Sequence, residues 1–313
     1  MSTPNRTSLL ALDTAGIYFR AFHAIPDKIT DSDGRPMNAV RGFCDMAAEF
    51  LREYSPEGLI AARDENWRPN WRVSLVPEYK AARVAEGGGE DAPEALHHQV
   101  PIIWELLKAL GVCTAHIPDG EADDVLAALP FPGASTGDTV VVTGDRDLLQ
   151  IAREDRKVLY IGAGMRKRVL YGPAEVAERV GFPEGTDPRR YADYAVLVGD
   201  PSDGLPGISG IGAKSAATLV ATYGDVEDII AAAGDDSIKM PPRQRENLLG
   251  SADYVRAAKR IVALDEPPQT PECDGARSGA LGAADSAALE ELIARTGQER
   301  AIRNLENRLA ELR

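Results

Sequence analysis

Residues 139–150 read TVVVTGDRDLLQ, and the order of residue types inside this stretch decides the fold. The apolar run 139–142 is short and rich in β-branched side chains, which fits a buried strand, and Gly144 punctuates its end. Asp145 and Asp147 follow at once. The same grammar returns twice upstream: the run 9–12 (LLAL) leads directly to Asp13, and the run 58–62 (GLIAA) leads to Asp64. A strand over 112–116 is followed by a turn at Pro118, Asp119 and Gly120, and then by EADD, in which Glu121, Asp123 and Asp124 open a helix. Residues 157–161 and 168–171 read as a hairpin at the sheet edge. Between the strands, Phe43, Met46, Ala47, Phe50 and Leu51 share one helical face, and a longer helix spans about 92–110. This alternation specifies an α/β fold with a mainly parallel central sheet and covering helices.

Outside the alternation the sequence changes character. Residues 65–89 turn polar, with Trp, Pro, Arg and a Gly triplet, and imply an exposed, partly helical excursion. Beyond Pro173 the strand signal fades, and 189–198, 213–223 and 283–295 are helical in pattern. Residues 266–282 read as a loop before a charged C-terminal helix pair. The 313 residues suit one large body with appendages; 44% are hydrophobic and 27% charged, the profile of a globular protein with a real core. No basic start with a long apolar run follows Met1, and no run of roughly 18 apolar residues occurs, so a cytoplasmic protein without membrane spans is expected. Three widely spaced cysteines, Cys44, Cys113 and Cys273, argue against a disulfide framework or a thiolate zinc site.

In a parallel sheet the strand ends lie on one edge, where ligands bind. Asp13, Asp64, Asp145 and Asp147 fall there, Glu121, Asp123 and Asp124 join from the helix start, and Asp200 and Asp203 (GDPSDG) add two more. A single Asp after a strand is ordinarily a helix N-cap. So many together require cations, because like charges a few Å apart drive protonation. Oxygen donors with no His or Cys nearby favour Mg²⁺ or Mn²⁺ over zinc.

Residues 204–216, GLPGISGIGAKSA, fail as a phosphate-loop NTPase motif, since Ala213 intervenes before Lys214 and no buried strand precedes them. They fit a helix-hairpin-helix, in which Gly207, Gly210 and Gly212 permit a tight turn whose N–H groups face a DNA phosphate and Lys214 adds a charged contact. Arg68, Arg72, Lys80 and Arg83 interleave with Trp67, Trp71 and Tyr79, a pattern that suits single-stranded nucleic acid or, more blandly, a solvated basic loop. The net charge of -14 is unusual for a nucleic-acid binder, so the cations must be concentrated locally.

The strings ALDTAGIYFRAFHA, PEYKAAR, EADD, TGDRDLLQ and GDPSDGLPGISGIGAKSA, in this order, resemble the 5′ nuclease family: bacterial and phage 5′ to 3′ exonucleases, the nuclease domain of bacterial DNA polymerase I, and flap endonucleases. The resemblance covers roughly the first three quarters of the chain, and no polymerase region follows. It implies a PIN-like core over 1–198 with a helical arch at 65–100, a helix-hairpin-helix region over 199–266, and a C-terminal loop and helices over 267–313. Asp13, Asp64, Glu121, Asp123 and Asp124 match the first metal group, and Asp145, Asp147, Asp200 and Asp203 the second. Lys80 and Arg83 match the catalytic cations of the arch. Arg20, Arg68, Arg72, Tyr79 and Lys214 are expected to meet DNA, and the turn at Ser209 and Ile211 to hold K⁺ through carbonyls. Arg63 and Ala82 depart from the family pattern without removing a ligand.

The reaction implied is phosphodiester hydrolysis at 5′ ends, gaps and flaps of DNA, RNA-primed strands included, by a monomer in primer removal and repair. Two ions bridging one phosphate supply hydroxide and stabilise the leaving oxygen, with no Ser, Cys or His nucleophile. The rival readings are a PIN-type ribonuclease, which has no use for the hairpin, and a non-catalytic binder of branched DNA, which has no use for the acids.

Overall fold

A computed structural model describes residues 6–264 and 269–313. Seven strands, β1 (Leu9–Asp13), β2 (Gly58–Ala62), β3 (Cys113–His116), β4 (Thr139–Thr143), β5 (Arg156–Tyr160), β6 (Val169–Tyr171) and β7 (Glu272–Asp274), form one sheet. Its order is β6-β5-β4-β1-β2-β3-β7. The five inner strands run parallel and the two edges antiparallel. Because β1, β2 and β4 are neighbours, their C-terminal ends stand side by side; Leu12 of β1 faces both Ala61 of β2 and Val142 of β4.

The sheet is buried on both faces, which is why its central strands are continuously apolar. Leu10 and Leu12 pack with α1 (Thr14–Ala24), α2 (Asn38–Tyr54), α5 (Gln99–Ala109), α13 (Ser286–Thr296) and α14 (Glu299–Ala310). Leu9 and Ala11 face the opposite layer, which includes α6 (Ala122–Ala127). A third cluster, with Val196, Leu197, Ala216, Val220, Ile229 and Val255, joins α8 (Arg190–Val198), α9 (Ala213–Tyr223), α10 (Val226–Gly234), α11 (Pro242–Gly250) and α12 (Ala252–Val262). No described helix is long and apolar enough to cross a membrane.

Two elements differ from the sequence reading. The stretch expected as a loop over 266–282 contains β7, which pairs with β3 across a long sequence gap; residues 265–268 lie outside the described ones. The helix expected over about 92–110 is broken near its start into α4 (Glu94–His97) and α5, while the excursion before it is partly helical as expected, with α3 (Asn70–Leu75) and a single turn at Ala81–Arg83. Pro93 and the Gly triplet keep longer helices from forming there. α7 (Pro173–Val180) starts the α-rich half as its Pro173 predicts.

Candidate metal centre

The sheet edge holds an open cleft of about 520 Å³ lined by Asp13, Asp64, Lys80, Glu121, Asp123 and Asp145, among others. Asp13 ends β1 and caps α1: its Oδ1 accepts the Gly16 N–H at 2.8 Å, and its Oδ2 accepts the Thr143 hydroxyl at 2.8 Å. Burial pushes the Asp13 carboxyl up to about 6, and these hydrogen bonds offset part of the rise. Asp64 Oδ1 accepts the Ala122 N–H at 2.7 Å, which ties the end of β2 to the start of α6. Asp123 faces Asp145 and Asp13, and burial followed by their negative charge holds its carboxyl far above the usual range.

Glu121 and Asp124 behave differently. Asp124 Oδ1 and Oδ2 accept from Arg72 Nη2 and Nη1 at 2.7 and 3.0 Å, and Oδ2 also accepts the Glu121 N–H. Arg72 also donates to Glu121 Oε2 at 2.8 Å and to the Ile261 carbonyl at 3.3 Å, and its side chain is 2% exposed. Three expectations are corrected here. Arg72 cannot meet DNA, because its side chain is buried between Glu121, Asp124 and the Ile261 carbonyl, and Asp124 is turned out of the cleft into that ion pair. Tyr79 is corrected likewise: it is buried and donates its hydroxyl to Glu121 at 2.9 Å, so no ring face is free for a base.

Lys80 and Arg83 reach back to the acids. Lys80 Nζ lies 2.6 Å from Glu121 Oε1, and Arg83 Nη2 lies 2.5 Å from Asp203 Oδ1. Lys80 adopts a left-handed backbone (φ 49°), and its N–H donates to the Asp203 carbonyl at 3.0 Å, fastening the segment to the 200–203 turn. Asp147 faces Asp145, Asp203 and Asp200, and burial with these charges raises its carboxyl well above the usual range. Burial raises Asp203 as well, against the pull of Lys80 and Arg83. Asp200 caps its own turn through the Ser202 N–H and lies 3.8 Å from Arg146.

As they stand, no three described His, Cys, Asp or Glu side chains close into a ready cage. The donor set nevertheless fits divalent cations: all donors are oxygens, Asp13, Asp64, Glu121, Asp123 and Asp145 line the cleft while Asp147 and Asp203 line a small adjoining space shared with Glu121, Asp123 and Asp145, and the carboxyls of Asp13, Asp123 and Asp147 are raised by burial and mutual repulsion that a bound cation relieves. Hard cations that keep part of their water shell suit such a spread-out set.

Away from the cleft, the glycine turn leads from α8 to α9. Gly207 (φ 68°) and Gly210 (φ 78°) are left-handed, and a Cβ on Gly207 would stand 2.3 Å from the Val198 carbonyl oxygen. Gly212 is extended and caps α9, where Lys214 is exposed in the first turn. The Ser209 carbonyl already accepts from Asn247 Nδ2 at 2.7 Å, and the Gly207 N–H donates to the Tyr254 hydroxyl at 3.2 Å. Arg68 stays near the surface but spends its guanidinium on the Tyr79 and Pro77 carbonyls. Arg20 lines the cleft and donates to the Gly162 carbonyl at 2.8 Å.

Sequence reasoning missed Thr143, Gly16, Asn247 and Tyr254. Thr143 and Gly16 each adjoin an expected ligand, so a hydroxyl just before GDRD and a glycine three places after Asp13 were signals available to it. Asn247 and Tyr254 meet the turn only through the packing of α11 and α12.

Family comparison agrees with this geometry. Residues 8–181 match the N-terminal resolvase-like domain of 5′-3′ exonucleases, and residues 186–273 match their C-terminal SAM fold. A 5′-3′ exonuclease of Mycobacterium tuberculosis (strain ATCC 25618 / H37Rv) is 44% identical, covering 97% of this chain and 98% of that protein. DNA polymerase I of Mycobacterium bovis (strain ATCC BAA-935 / AF2122/97) is 39% identical over 85% of this chain but only 28% of its own length. The bacteriophage T5 D15 flap endonuclease, solved in a pseudo-enzyme-product complex with DNA and metal ions, shares the fold with a TM-score of 0.61 at 17% identity, covering 97% of this chain and 98% of that one. The match over 186–273 covers the glycine turn and the helices α8 to α12 around it.

Proposed function

The chain belongs to the 5′-3′ exonuclease family, and on that premise we propose that it hydrolyses phosphodiester bonds at 5′ ends and 5′ flaps of DNA, as a cytoplasmic monomer in primer removal and repair. The observation that carries this reading is the convergence of Asp13, Asp64, Asp123 and Asp145 on one cleft that also holds Lys80 and Arg83. We assign Mg²⁺ or Mn²⁺ to Asp13, Asp64, Glu121, Asp123, Asp145, Asp147, Asp200 and Asp203, with Asp124 acting through Arg72. Ions held there would supply activated water and neutralise the phosphate. Lys80 and Arg83 are long enough to exchange a carboxylate for a phosphate oxygen and so stabilise charge that develops on it. Arg20 lines the cleft and keeps a donor there for the incoming strand, and Arg68, held on the Tyr79 and Pro77 carbonyls, would have to exchange one of these bonds to meet it.

The division at about 198 and 266 is retained: a nuclease core, a DNA-gripping helical region, and a C-terminal segment. In the helical region, the N–H groups at the start of α9 and Lys214 take a duplex phosphate. K⁺ is assigned to the carbonyls of Ser209 and Ile211, sharing the Ser209 oxygen with Asn247. A labelled 5′-flap duplex tests the activity: cleavage is expected with Mg²⁺ or Mn²⁺ and none in EDTA or with Asp145→Asn, whereas full cleavage in EDTA overturns it.

A further inference from the structure

We propose that Thr143 is a positioning residue of the metal centre, its hydroxyl clamping the Asp13 carboxylate to the loop that carries Asp145. The proposal rests on the nuclease reading above. Thr143 ends β4, beside the end of β1 in the parallel register that pairs Leu12 with Val142. Its Oγ1 donates to Asp13 Oδ2 at 2.8 Å and accepts the Asp145 N–H at 2.9 Å. Both roles are forced. A backbone N–H only donates, and an ionised carboxylate only accepts, so the single hydroxyl proton points at Asp13. The side chain is 0% exposed, so no solvent can take over either bond.

The opposite side of Asp13 is fixed as tightly. Gly16 donates to Oδ1, and a Cβ on Gly16 would stand 2.2 Å from Oδ2, so any side chain there displaces the carboxylate. Between Gly16 and Thr143, Asp13 has one orientation, and the same hydroxyl sets where the Asp145 loop leaves β4. A strand buried on both faces accepts valine as readily as threonine on packing grounds, and a buried hydroxyl is costly unless bonded. The hydroxyl at this position is therefore explained by its two bonds. Partners that orient metal-binding groups in this way typically account for about 10- to 100-fold in metal affinity or activity.

The test is Mn²⁺ binding to the DNA-free, full-length protein by calorimetry, alongside flap cleavage as a function of Mg²⁺. Thr143→Val is expected to weaken Mn²⁺ binding by about tenfold or more, to leave flap-DNA affinity in EDTA unchanged, and to recover cleavage as Mg²⁺ is raised. Thr143→Ser, which keeps the hydroxyl, should restore binding close to wild type. Should the valine variant not fold, Thr143→Ala serves in its place. Wild-type Mn²⁺ affinity without the hydroxyl, or a serine variant as weak as valine, overturns the proposal. Asp13→Asn separates this from the underlying reading: if it binds Mn²⁺ like wild type, the metal-centre assignment fails, whereas a defect there with none in Thr143→Val removes only the clamp.

Discussion

Arg72 holds two carboxylates with one guanidinium: both oxygens of Asp124 and one of Glu121, with its Nε–H on the Ile261 carbonyl. Removing one partner of a buried ion pair leaves uncompensated charge and costs about 3–5 kcal/mol. Arg72→Met should therefore lower stability by about that amount in urea unfolding. Arg72→Lys should recover little, because an ammonium cannot reproduce the two-pronged contact with Asp124. A methionine variant within about 1 kcal/mol of wild type would contradict the buried-pair account. Lys80 and Arg83 belong to a different class, since each is a flexible cation on a carboxylate at the cleft. Lys80→Ala and Arg83→Ala should each lower single-turnover cleavage at saturating enzyme by more than tenfold, about 1.4 kcal/mol of barrier. Unchanged saturated rates with weakened affinity would move both residues from chemistry to binding.

At the scale of elements, the proposed function divides the labour between the glycine turn before α9 and the segment that carries Lys80 and Arg83. Lys214 is exposed in the first turn of α9 and does not line the cleft that holds Asp13, Asp64, Asp123 and Asp145. Lys214→Ala should raise the dissociation constant for duplex DNA and reduce the salt slope by about one unit of the logarithmic plot, without slowing saturated cleavage. An unchanged slope removes it from the phosphate contacts. The strands were legible because a sheet buried on both faces writes short apolar runs; residues 58–62 were bounded as found. β7 was not legible, since its three residues, Glu272, Cys273 and Asp274, carry no apolar run and acquire strand geometry only from pairing with β3. Asp13, Asp64, Asp123 and Asp145 could be placed in one cleft from position alone, because strand ends in a parallel sheet share an edge. The fate of Arg72 and Tyr79 could not: cations beside aromatics look alike whether exposed or buried, and the acids that claim these two come from α6, at the far end of a long chain separation.

Across the whole molecule, the acidic balance of -14 becomes intelligible once part of it is assigned to a cleft that stores repulsion. Asp13 is raised to about 6, Asp123 and Asp147 are raised well above the usual range, and burial is the first cause in each. An acid whose folded pKa lies above its unfolded value favours folding while protonated. Its contribution is fully present below the ordinary carboxylate range and is lost as pH rises, for Asp13 from about 3.8 through about 6. The metal-free protein should therefore lose melting temperature across this window, and Asp13→Asn should lose less of it. A divalent cation binds the ionised carboxylates and stabilises the fold according to its concentration relative to its dissociation constant. Protons compete for the same oxygens. Excess Mg²⁺ or Ca²⁺ should then raise the melting temperature more at pH 8 than at pH 5, with the difference reduced in Asp13→Asn. Equal metal-induced shifts at the two pH values would show that the carboxyls of the cleft are not where the ions act.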